Sequence, residues 1–192
     1  MAVNRRVLGA GIAIAIGASL TLGYVVSRST ASDAGTDVVL DTPGAVQIPA
    51  VEANADVEGA RLPTVELLDN DGGVVSTADL IGRPLVINYW YSICAPCKKE
   101  LPAFAAVHAE LGDRVRFVGV NPFDTPEVNE SFARQLGVRY ELLRDPDGAY
   151  TVAVGIANAP VTLFVAADGT IVRQTAALDE DELRRFATEL LG

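Results

Sequence analysis

Thiols and imidazoles are scarce in this sequence: its 192 residues include two cysteines, Cys94 and Cys97, and one histidine, His108. A structural zinc site takes about four Cys or His ligands. This inventory cannot complete one without carboxylates, so no metal is expected. The chain is equally too poor in cysteine for a disulfide-stapled scaffold. Basic residues are also few: 15 Lys and Arg stand against 25 Asp and Glu, a formal charge of −10. Phosphate binding needs clustered Lys and Arg, so no nucleic-acid partner is expected. Adhesion to an anionic membrane surface is disfavoured for the same reason. There is no internal repeat.

Uncharged apolar stretches are short with one exception. Residues 7–26 carry no charged side chain and follow Arg5 and Arg6. Twenty helical residues at about 1.5 Å each span one hydrocarbon thickness. Tyr24 falls near the far end, where aromatic rings favour the interface. The basic flank should remain cytoplasmic. This predicts a cytoplasmic N-terminus over 1–6, a single-pass signal anchor over 7–26 and an extracytoplasmic C-terminal domain at the cytoplasmic membrane. The competing reading is a signal peptide cleaved near Ser29–Ala31, which would release the protein; such signals have shorter apolar cores of roughly 7–15 residues. Residues 27–60, rich in Ala, Asp, Ser, Thr and Val, show no persistent period and read as a flexible acidic linker.

From residue 61 to 192 the pattern is that of a folded domain. Residues 65–68 and 74–75 are short strands around the Asp71-Gly72-Gly73 turn, and 76–80 form a brief helical turn. Residues 85–91 make an apolar run suited to a buried central strand. A helix is expected from Cys94 to Leu111, then a strand at 116–120, a helix at 126–136 and a strand within 137–143. A turn at 145–148 leads to a short helix at 149–154. Strands at 161–165 and 171–175 flank the Asp168-Gly169 hairpin turn. Asp179 and Glu182 have capping-box spacing at the start of a last helix. Its Leu183, Phe186, Ala187 and Leu190 share one face. Strands alternating with helices, closed by a hairpin and a helix, indicate an α/β fold: a central mixed sheet flanked by helices.

Cys94-Ala95-Pro96-Cys97 falls where the buried strand gives way to the helix. Unpaired backbone N–H groups and the helix dipole stabilise a thiolate there. Cys94, in the first turn, is the attacking thiol. Cys97, a turn later and more buried, resolves the mixed disulfide. Pro96 suits a helix start because it has no N–H to lose. Closing so short a loop would stabilise the fold little, so a structural staple explains the pair poorly. Half of an intermolecular zinc site, or two incidental thiols, remain weaker alternatives. His108 lies about 16 Å along the helix from Cys97, too far to assist, and reads as a structural or surface residue.

The stretch from Asn88 through Trp90, the Cys-x-x-Cys pair and Lys98-Lys99-Glu100-Leu101-Pro102 resembles the thioredoxin active site. It is most similar to the exported, membrane-tethered TlpA/ResA-like branch, and the resemblance extends over residues 61–192. It implies a thioredoxin-like fold and a thiol-disulfide oxidoreductase whose two electrons reside on the cysteines, without a cofactor. It places Glu100 beside the thiols, to tune their pKa values and assist proton transfer. It also implies substrate-binding roles for Trp90, Ala95, Pro96, Ala159 and Pro160. Asn158-Ala159-Pro160-Val161-Thr162 resembles the loop with the family's cis-proline. An X–Pro bond is otherwise cis in only about 5–6% of cases, so that assignment rests on the resemblance. Pro102 matches the proline that kinks the active-site helix.

Two departures bear on function. Ile93 replaces the usual Trp before the first cysteine, which removes an aromatic surface for partners. The Ala95-Pro96 dipeptide lacks the histidine of strong periplasmic oxidants, which favours a reductant. Asn88 stands where thioredoxin itself has a buried carboxylate. The implied partners are disulfides of exported proteins, as in cytochrome c maturation, and a membrane thiol carrier as electron donor. A disulfide oxidant or isomerase, a peroxiredoxin-like antioxidant and a non-catalytic binding module are the alternatives.

Overall fold

The computed structural model describes residues 53–192. The expected cytoplasmic end, membrane anchor and first part of the linker lie outside them. Among the described residues no helix is long and apolar enough to cross a membrane.

The fold is organised by the strand β3 (Leu85–Tyr89), all five residues of which are buried. Side chains alternate across a strand, so its two faces feed two separate cores. Val86 joins Trp90, just past the strand, in one core. Leu85, Ile87 and Tyr89 enter the other. A strand buried on both faces needs helices above and below, and the flanking segments provide them. Helix α1 (Ala95–Leu111) connects β3 to the parallel strand β4 (Arg116–Asn121). Helix α2 (Pro126–Gln135) connects β4 to parallel β5 (Glu141–Arg144).

The short helix α3 (Ala149–Val154) then leads to β6 (Val161–Val165), which lies antiparallel on the other side of β3. β6 turns through Gly169, at φ +91°, into β7 (Ile171–Thr175). Only a residue without a Cβ enters that region readily. The hairpin of β1 (Glu66–Leu68) and β2 (Val74–Ser76) extends the opposite edge, giving the order β2-β1-β5-β4-β3-β6-β7. Helix α4 (Glu180–Glu189) begins with the expected capping box between Asp179 and Glu182. It buries Leu183 and Ala187 in the α1 core, with Phe186 and Leu190 partly buried beside them.

The expected mixed sheet flanked by helices is therefore present, with several boundaries moved. β3 ends at Tyr89 rather than residue 91, because the chain must leave the sheet to begin the Cys94 turn. β5 occupies only the end of the expected 137–143 range, starting at Glu141 and running to Arg144. Gly137, at φ +89°, reverses the chain, and Val138 and Tyr140 bury themselves before the strand begins.

The linker expected over 27–60 also ends early. The Ala55 N–H donates to the Gly155 carbonyl at 2.9 Å, and the Gly59 N–H to the Ile171 carbonyl at 2.8 Å. Gln174 binds the backbone of Ala55 and Val57 through its side chain. Polar composition hid this docking, because the partners lie 100 or more residues away.

Candidate active site

The topology gathers several loops at one end of the sheet. Parallel β3 and β4 finish there, and Tyr89 is paired with Val161 at the start of antiparallel β6. The turn after β3, the loop after β4 and the residues before β6 therefore meet. Cys94, Asp124 and Pro160 occupy those three segments.

Cys94 is the N-cap of α1, with an extended backbone at φ −78° and ψ 105°. Its Sγ accepts the Cys97 N–H at 3.2 Å. The expected helix thus begins one residue later, at Ala95, and the first cysteine sits on the unpaired donors of its first turn. Cys94 and Cys97 are joined as a disulfide with Cα atoms 5.2 Å apart. Cys94 retains 5% exposure and Cys97 none. Ala95 and Pro96 are exposed over the helix start. The first turn has no acidic residue to oppose a thiolate. The helix continues unbroken through Pro102.

Glu100 lies one turn beyond Cys97 and is buried, with 3% exposure. The Asn88 amide donates to its Oε1 at 2.9 Å, and the Leu178 N–H donates to its Oε2 at 3.2 Å. Burial raises its pKa from 4.5 to about 7, against the opposing effect of those two hydrogen bonds. Asn88 also donates to Thr162 Oγ1 across the β3–β6 pair at 3.3 Å. The position of thioredoxin's buried acid therefore holds a donor that secures the carboxylate on the adjacent helix.

The Ala159–Pro160 peptide bond is cis. Pro160 is buried and Ala159 partly exposed, packed against the core that contains both cysteines. Trp90 needs correction as a substrate-binding residue. It is fully buried, with its ring stacked on Phe132 at 5.8 Å. Strand alternation turns it inward, and Gly119 leaves room for it: a Cβ there would lie 2.8 Å from Trp90 Nε1. Trp90 backs the site rather than facing a substrate. His108 packs edge-on against Phe117 and Tyr140, and burial lowers its pKa.

Sequence reading missed a clamp beside the pair. Asp124 accepts the Ser92 N–H at 2.7 Å, the Ser92 hydroxyl at 2.6 Å and the Asn121 amide at 2.7 Å. Asn121 Oδ1 in turn accepts the N–H groups of Phe123 and Asp124. The Asn121-x-x-Asp124 spacing after a strand was the available signal, since both residue types fold back on nearby backbone N–H groups. The clamp presents Phe123, 70% exposed and edge-on to Tyr91, which lies two residues before Ile93. An exposed aromatic ring therefore remains on the loop clamped to the turn before Cys94, despite Ile93.

These features define a thioredoxin-like domain with an oxidised Cys-x-x-Cys pair at a helix N-terminus. Residues 59–182 match the AhpC/TSA family, and the chain belongs to that family. Its relatives include proteins named ResA and DsbE, in agreement with the TlpA/ResA-like resemblance in the sequence. The thiol-disulfide oxidoreductase ResA of Bacillus subtilis is 28% identical over 117 residues, 60% of this chain and 65% of that protein. The thiol:disulfide interchange protein DsbE of Xylella fastidiosa is 32% identical over 109 residues, 56% of this chain and 54% of that one. The chain thus matches less than two thirds of either relative. The solved structure of Mycobacterium tuberculosis dsbF, in mixed oxidised and reduced forms, superposes with a TM-score of 0.61 at 28% identity. It covers 66% of this chain and 94% of that one.

Proposed function

We propose that this protein is an extracytoplasmic thiol-disulfide oxidoreductase that reduces disulfides in exported proteins, anchored to the cytoplasmic membrane by residues 7–26. The observation that carries this reading is Cys94 as the N-cap of α1, joined to Cys97, with buried Glu100 one turn behind. A helix start favours the Cys94 thiolate. In the reduced protein that thiolate attacks one sulfur of the substrate disulfide, forming a mixed disulfide and expelling the other sulfur as a thiolate. The Glu100 carboxylate takes the Cys97 proton. The Cys97 thiolate then attacks Cys94 Sγ, releasing the second substrate sulfur and leaving the Cys94–Cys97 disulfide. Two electrons pass to the substrate, and a membrane dithiol carrier restores them. No cofactor is required.

Ala95 and Pro96 form the surface over the pair, and the Ala159 backbone pairs with an extended substrate segment. Such pairing supplies affinity with little side-chain specificity. This suits a reductase of many exported chains, including apocytochromes in cytochrome c maturation. Two cysteines joined to each other favour dithiol exchange over peroxide reduction at a lone thiol. The test is mixed-disulfide trapping alongside reductase turnover. Cys97→Ser should accumulate a covalent complex with a disulfide-bonded substrate, because the resolving thiol is gone, while Cys94→Ser should accumulate none. Equal trapping by both variants, with no turnover by the parent, would support a binding module instead.

A further inference from the structure

The segment that enters the domain from the N-terminal side meets the loop before Pro160. Asn54 Oδ1 accepts two successive backbone N–H groups, Ala157 at 2.7 Å and Asn158 at 2.8 Å. Asn54 Nδ2 donates to the Asn158 carbonyl at 3.1 Å. One amide side chain thus makes three hydrogen bonds to the two residues just before Ala159. The segment around it is fixed as well. The Ala55 N–H is bound to the Gly155 carbonyl, its carbonyl accepts Gln174 Nε2 at 2.8 Å, and Glu58 accepts the Gln174 N–H at 2.8 Å. Ala55 also lies close over Gly155, where an added Cβ would sit 2.6 Å from the Ala55 Cβ.

Ala157 and Asn158 are themselves exposed. Burial does little to hold their backbone, so hydrogen bonds from a distant segment have a large share in fixing it. A loop that offers its backbone to an extended peptide binds best when already set in the paired conformation, since ordering it on binding subtracts from affinity. We propose that Asn54 is a positioning residue for substrate: it holds residues 157–158 so that Ala159 presents its backbone to a peptide substrate. The inference rests on the oxidoreductase reading above and adds a determinant outside the cysteine pair. It also links the chain's N-terminal segment to the substrate-binding loop.

The experiment compares full-length parent, Asn54→Ala and Asn54→Asp in reducing two substrates, a disulfide-bonded peptide and a small aryl disulfide. Only the peptide can pair along the loop. Asn54→Ala should raise KM for the peptide about tenfold through lost preorganisation, with kcat and the aryl disulfide kinetics within about twofold of the parent. Asn54→Asp retains an acceptor for the two N–H groups and should fall between. An unchanged peptide KM in Asn54→Ala, with an active parent, would overturn the inference. So would equal losses on both substrates together with a lowered melting temperature, which would indicate general destabilisation. A parent inactive on both substrates would overturn the oxidoreductase reading itself.

Discussion

The two cores on either face of β3 differ in what they bury. The core beneath α1 and α4 contains both cysteines, and on that side of the sheet Asn88 donates to both Glu100 and Thr162. Its Trp90 Nε1 and Tyr140 hydroxyl, and Asn88 Oδ1 on the same face, have no hydrogen-bond partner among the described residues. The opposite core, built from residues such as Leu80, Ile87, Val118 and Leu163, contains none of the unpartnered buried atoms found among the described residues. Its main polar feature is satisfied: Asp145 accepts the Tyr150 and Thr151 N–H groups and the Thr151 hydroxyl, which pairs with Tyr89. Buried polar groups without partners are costly. The face that holds the cysteines thus also holds buried polar groups, whereas the opposite face packs mainly through apolar side chains.

That contrast predicts different consequences for substitutions on the two faces. Ile87→Ala, on the apolar face, should destabilise the domain by about 2–5 kcal/mol through lost burial and a residual cavity. Turnover per folded molecule should hardly change. Urea unfolding paired with activity at low denaturant checks both parts. A large loss of turnover in folded Ile87→Ala would erase the division between the faces.

Glu100 sharpens the contrast through pH. Its pKa is about 7 in the folded protein, above its ordinary 4.5. The folded state therefore holds this proton more tightly than the unfolded chain. The associated stability is fully present below about pH 4.5 and is lost as pH rises through about 7, an effect on the order of 3 kcal/mol. In Glu100→Gln this pH-dependent component should vanish, so the oxidised variant should gain on the parent between pH 5 and pH 8 in chemical unfolding. If both lose stability in parallel over that range, Glu100 does not titrate as described. Its turnover should also fall, on the order of a hundredfold, if the carboxylate is the proton acceptor for Cys97.

Much of the fold was legible because its signals are local. The α3, β6 and β7 spans match their expected limits, since turn residues bracket each segment. The cysteine pair was legible from its place between a strand and a helix. Long-range polar bonds were not. Asn54 and Glu58 sit in a stretch whose composition suggests a linker, and only their hydrogen bonds to residues 157, 158 and 174 show that it is docked. The resemblance implies substrate contact for Trp90, whereas strand alternation and the space over Gly119 direct it inward. The buried Glu100 carboxylate is bonded by the Leu178 N–H, 78 residues away, which no local signal reveals.

The direction of electron flow is the central claim, and the reduction potential of the Cys94–Cys97 couple tests it most directly. Equilibrating the full-length protein against thiol–disulfide buffers and counting free thiols gives the value. A dithiol reductase should lie near the thioredoxin value of about −270 mV, whereas a potential near about −120 mV would make the protein an oxidant and contradict the account.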